Sequence, residues 1–151
     1  NEAEGCVFDD ENKHLLISRE GSKGYLKAFK SDSLDMISVV DSRNGNIVGD
    51  PEGVSIYKTS ENEGYIILSS QGGNEFNLYD RQKLTFIDKF NINGVEDTDG
   101  LDVTNQPIEG IFPNGFLVVQ DGRNLPSNQN FKIISMEEVL KKKLSLPGSI
   151  H

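Results

Sequence analysis

Short apolar runs, interrupted by polar residues and separated by turns rich in Gly, Asn and Asp, recur along the whole chain. EGCVF (4–8), a run ending LISRE at Glu20, GYLKAF and LDMISVV read as four strands. EGVSI (52–56), a run ending LSSQ at Gln71, EFNLYD and LTFIDKF repeat that order, and DGLDV (99–103), VVQD ending at Asp121 and NFKIIS repeat its first three members. The period is about fifty residues. Where a fourth strand of the last unit would fall, SMEEVLKKKL reads as a helix beginning at Met136, with Ser135 as N-cap and Glu138 in the capping-box position.

Units of four short antiparallel strands at this spacing are β-propeller blades. The expected fold is therefore all-β, with blades near 4–41, 52–92 and 99–135 and a helix and tail over 136–151. Three blades do not close a ring, and a blade lacking its outer strand is completed by chain from the other end of the ring. The chain is thus expected to be about half of a propeller, its other half upstream. A start at Asn1 rather than Met agrees with a processed product or a piece of something longer.

Charge sharpens the picture. The stretch VEDTDGLDV crowds Glu96, Asp97, Asp99 and Asp102 into a chain of formal net charge -9. Such crowding calls for solvent or a cation. An EF-hand is excluded, because Gly100 directly follows the second Asp of DTD and the flanks read as strands rather than helices. The repeat offers other donors: Glu4, Glu52 and Asp99 are equivalent, and so are Glu20, Gln71 and Asp121. First strands of blades line the central channel, so all six converge on one end of it. Turn chemistry accounts for one set of three, since acid-Gly is a common turn opening. It does not account for a second register at the end of a different strand. Calcium, a hard ion that takes carboxylate and amide oxygens alike, accounts for both.

Composition removes other classes. The 35% hydrophobic content suits a single globular domain, and no apolar run is long enough for a membrane span. The acidic balance argues against a nucleic-acid partner but not against a phosphorylated ligand, because bound calcium inverts the local charge. Cys6 is the lone cysteine, alternates with Phe8, and is expected to be buried. The two histidines, His14 in a hydrophilic turn and His151 at the end, suit neither Ser/His nor Cys/His catalysis.

The motifs EGCVFDDE, SRE, PEGVSIY, GYIILSSQG, YDRQ, DTDGLDV, FLVVQDG and NQNFK, in this order between Glu4 and Leu140, resemble the C-terminal half of the β-propeller phytases. The resemblance implies a six-bladed propeller that hydrolyses phosphate from phytate, with calcium at the channel mouth neutralising substrate phosphates and activating the attacking water. It implies Glu4, Glu20, Glu52, Gln71, Asp99 and Asp121 as calcium-site positions, the remaining propeller half as partner, and a secreted or periplasmic location. Three departures stand out. Arg19 precedes Glu20 where the family has a second acid, Arg123 replaces an acid in QDGRN, and the loop before DTDG is compressed to NGVEDTDG. Fewer calcium ions are expected, with Glu96 or Asp97 substituting for the missing loop ligand. Arg19, Arg123 and Lys132 are candidate phosphate contacts, against the plainer reading that each is a solvated or ion-paired surface charge. The family's main basic clamps resemble nothing in this chain. Two functions stand at this point: a calcium-dependent phytase of which this chain is one half, or a non-catalytic calcium-binding propeller module.

Overall fold

The computed structural model describes residues 2–144. Strands β1 (Ala3–Asp9), β2 (His14–Arg19), β3 (Tyr25–Lys30) and β4 (Met36–Ser42) form a first sheet in sequence order. A second sheet repeats that order with β5 (Asp50–Lys58), β6 (Gly64–Gln71), β7 (Glu75–Asp80) and β8 (Phe86–Phe90). The third has β9 (Leu101–Thr104), β10 (Phe116–Asp121) and β11 (Asn130–Ser135), followed by helix α1 (Met136–Leu144). All neighbouring strands are antiparallel. The chain is all-β with one short helix, and its three sheets stack in series as propeller blades do.

The second sheet lies between the other two, and its sequence shows why. Side chains alternate across a strand, so Ile66 and Leu68 face one way and Ile67 the other. Ile66, Leu68, Val54 and Tyr79 pack with Leu16, Leu26 and Ala28 of the first sheet. Ile67, Phe76, Leu78 and Phe90 pack with Leu117 and Val119 of the third and with Met136 and Val139 of the helix. A strand buried on both faces must be apolar at nearly every position, as in YIIL. The helix thus covers the third sheet's side of the core where the other sheets have a fourth strand. Its cap bond runs from Glu137 N to Ser135 Oγ at 3.3 Å.

The outer sheets have one face covered and one bare. Phe8 is 56% exposed on the first, and Phe131 is 71% exposed on the third. Cys6 shares the bare face with Phe8, so the expected buried thiol is in fact exposed. Alternation assigned the side correctly, but no described residue covers it. His14 opens β2, opposite Asp9 and Lys30, rather than lying in a turn. The expectations for His151 and for positions 145–151 fall outside the described residues.

Candidate functional site

The innermost strands β1, β5 and β9 lie side by side, with β5 in the middle. In β1 the pairing with β2 slips between Ala3 and Gly5, and in β5 the pairing with β6 slips between Pro51 and Val54. Each bulge falls on an acid-Gly pair, Glu4-Gly5 or Glu52-Gly53, and a bulge redirects the side chain it carries. The pairs are therefore irregularities within strands, not turns. The glycines are needed for close approach: a Cβ on Gly5 would lie 2.6 Å from the Glu52 carbonyl oxygen, and one on Gly53 would lie 2.8 Å from that of Asp99. Gly53 N donates to that Asp99 oxygen at 2.8 Å. Ser18 and Ser69, equivalent residues of β2 and β6, donate through their hydroxyls to the Glu52 and Gly53 carbonyls. Backbone contacts thus carry each acid up to its neighbour.

The result is a cluster of acids. The Glu52 residue is only 5% exposed. Burial, followed by the charges of Glu4, Asp99, Glu20 and Asp50, pushes its carboxyl from the usual 4.5 up to about 7. Four acids carried by the three sheets thus bear on this one carboxyl. Asp99 is steadied by amides rather than cations: Gln71 donates to Oδ1, and Gln120 donates to Oδ2 at 3.2 Å. Asp50, Gln71, Asp97 and Asp99 line one open cleft. Asp97 has a left-handed backbone, φ 50°, held where its N–H donates to Asn74 Oδ1 at 2.9 Å.

Asp50 was not among the positions singled out from the sequence. It accepts from Gly21 N at 3.1 Å and pairs with Arg43. The signal was present in the repeat, because Glu2, Asp50 and Asp97 each stand two residues before the acid of an acid-Gly pair.

Calcium suits this donor set in chemistry and charge, since carboxylate and amide oxygens surround a glutamate that resists ionisation without a cation. As the side chains stand, no three His, Cys, Asp or Glu among the described residues are gathered closely enough to hold one metal ion between them. Glu4, Glu20, Asp50, Glu52, Gln71 and Asp99 would have to draw together around an ion.

Asp121 has different company. Its Oδ1 accepts from Glu96 N and Asn124 N, each at 3.2 Å, and its Oδ2 accepts from Lys132 Nζ at 2.5 Å. The hydrogen bond from Lys132 more than offsets burial and holds the carboxyl below its usual range. Arg123 Nε lies 3.6 Å from Glu96, and both residues line a cleft with Asp121 and Lys132. Arg19 lies against the Tyr25 ring, 5.7 Å from its centroid. By alternation it faces away from Ser18, toward the bare side of the first sheet.

Arg81, within the YDRQ motif, is fully buried at the outer junction of the first two sheets. Its Nε and Nη2 donate to the two oxygens of Asp9 at 2.8 and 2.6 Å, and Nη2 also reaches Glu11 at 2.6 Å. Nη1 donates to the carbonyls of Ser60, Glu61 and Glu63. A bidentate guanidinium thereby joins the β1–β2 turn to the β5–β6 turn, tying together the sheets that carry Glu4 and Glu52. Burial works against the Asp9 carboxylate, yet Arg81 and Asn12 hold its pKa below the ordinary value.

The family profile described as Phytase matches residues 1–147. A 3-phytase of Bacillus subtilis (strain 168) is 34% identical over 159 aligned residues, which cover 97% of this chain and 42% of that protein. The chain thus spans less than half the length of this curated relative. Three stacked sheets, a chain of acids delivered by their innermost strands, and a match across nearly its whole length place the chain in the phytase family.

Proposed function

We propose that this chain is the calcium-bearing half of a six-bladed propeller that hydrolyses phosphomonoesters of phytate (myo-inositol hexakisphosphate) or a similar polyphosphate. The observation that carries the reading is Glu52, buried among Glu4, Asp99, Glu20 and Asp50 and raised to about 7. A fold that turns the charges of four acids on one buried glutamate suits a bound cation. Glu4, Glu20, Asp50, Glu52, Gln71 and Asp99 would hold calcium, with Asp97 at the edge of the cleft. Bound calcium supplies positive charge for substrate phosphates and Lewis acidity for the attacking water.

The protein's own residues position and orient. Gln71 and Gln120 fix the Asp99 carboxylate, and the glycine contacts fix the strands beneath the acids. Of the three basic candidates, Lys132 is committed to Asp121 and Arg19 lies on Tyr25; Arg123, in a loose and exposed pair with Glu96 at 3.6 Å, is the one best able to turn to a phosphate. The bare faces of the first and third sheets suit the remaining blades, which would supply the other basic groups. A secreted or periplasmic location belongs to the same proposal.

Phosphate release from phytate tests it, measured for this chain and for a longer protein containing it, in calcium and in chelator. Calcium-dependent release by the longer protein, little release by this chain alone, and loss in Glu52→Gln of the longer protein are expected. Calcium binding by the longer protein without turnover would favour the non-catalytic module, a reading that the ion-paired Asp121 and Glu96 support.

A further inference from the structure

Resting on the reading of the Glu52 cluster as a calcium site, we propose that Lys132 is a built-in cation at Asp121, so that this corner takes no calcium while the neighbouring acids do. The strand register places the two groups together. Val119 pairs with Lys132 and Asp121 with Asn130, so Lys132 and Asp121 are diagonal neighbours on one face of the sheet, within reach of a long side chain. The ammonium is bonded both to the Asp121 carboxylate and to the Gly94 carbonyl oxygen. A carboxylate and a backbone carbonyl are the donors a hard cation would take, and here a lysine nitrogen takes them.

The charge balance agrees. Asp121 and Glu96 face Lys132 and Arg123, two negative charges against two positive. Among the described residues, Glu4, Asp50, Glu52 and Asp99 have one ion pair, that of Arg43 with Asp50. Calcium at Asp121 would have to expel an ammonium tethered to the adjacent strand and then lie beside it. Like charges that close repel strongly in a partly buried site. Oδ1 of Asp121 is already engaged by two backbone N–H groups, so the carboxylate has no oxygen without a protein partner. The acidic mouth is thus divided into a metal-dependent part and a part that the chain neutralises itself.

Equilibrium dialysis of the full chain with calcium, counting bound ions, tests the division. Asp121→Asn should bind as many ions as the parent with unchanged Kd and should unfold at lower temperature in chelator. Glu52→Gln should lose bound calcium. Lys132→Gln should gain one ion, because the Asp121 carboxylate, the Gly94 carbonyl and the new amide oxygen are left facing one another. Loss of an ion in Asp121→Asn, or no gain in a folded Lys132→Gln, overturns the proposal. Should Asp121→Asn fail to fold, Lys132→Gln decides alone. A parent that binds no calcium refutes the reading of the Glu52 cluster, and a gain in Lys132→Gln still supports the built-in cation.

Discussion

Replacing Glu52 by Gln should stabilise the calcium-free protein at neutral pH. A carboxyl raised from 4.5 to about 7 holds its proton more tightly in the folded state. The contribution of this group to stability is therefore fully present below pH 4.5, is lost as pH rises toward 7, and is level above it. At ~1.4 kcal/mol per pH unit, the interval between 4.5 and about 7 sets a ceiling of ~3.5 kcal/mol for the cost of the ionised carboxylate. Water at the open mouth screens part of it, leaving about half. The neutral, nearly isosteric amide removes that cost, and a chain of this size should gain roughly 3–7 °C in unfolding midpoint. The assay is thermal unfolding in chelator from pH 4 to 8, repeated in saturating calcium. Without calcium the parent should lose stability across the window while Glu52→Gln follows a flatter profile. With calcium the order should reverse, since the parent recovers binding free energy that the variant lacks. Parallel profiles for the two proteins in chelator would refute the reasoning.

Arg81→Met should cost about 3–5 kcal/mol in urea unfolding, because Asp9 would remain buried without its partner. Asp9, whose pKa is lowered, contributes stability that is present above its unfolded value and lost as pH falls, so Asp9→Asn should blunt acid unfolding seen by circular dichroism. Gly53→Ala should destabilise by about 1–3 kcal/mol in urea unfolding, since its Cβ would meet the Asp99 oxygen at 2.8 Å. Calcium should raise the unfolding midpoint of the parent in calorimetry, and chelation should reverse the rise.

Three sheets, their strand order and the terminal helix were legible because each strand announces itself by alternation and each unit repeats the last. The acids Glu4, Glu20, Glu52 and Asp99 were legible for the same reason, and in the structure the charges of the other three bear on the Glu52 carboxyl. Asp50 escaped because acid-Gly was matched as a pair, without the acid two places earlier. Arg81 was out of reach: its partners lie in two turns of different sheets, and nothing local marks an arginine as buried. The Lys132–Asp121 pair depends on the register of two strands and on a lysine bending back to a neighbour. Cys6 shows a different limit, since periodicity tells which side a residue faces but not whether anything covers that side.

The packing of Gly5 on Glu52 and of Gly53 on Asp99 separates where a side chain stands from what it is. Position is inherited from backbone atoms of the preceding unit, so the acid itself can be exchanged without moving the frame that presents it. Such a mouth can be re-edited one residue at a time, trading metal dependence for fixed charge, with the scaffold indifferent to the choice. Among the described residues nothing lies within 4 Å of where a Cβ on Gly100 would stand, so the third unit keeps the space that in the first two is filled by a neighbour's backbone.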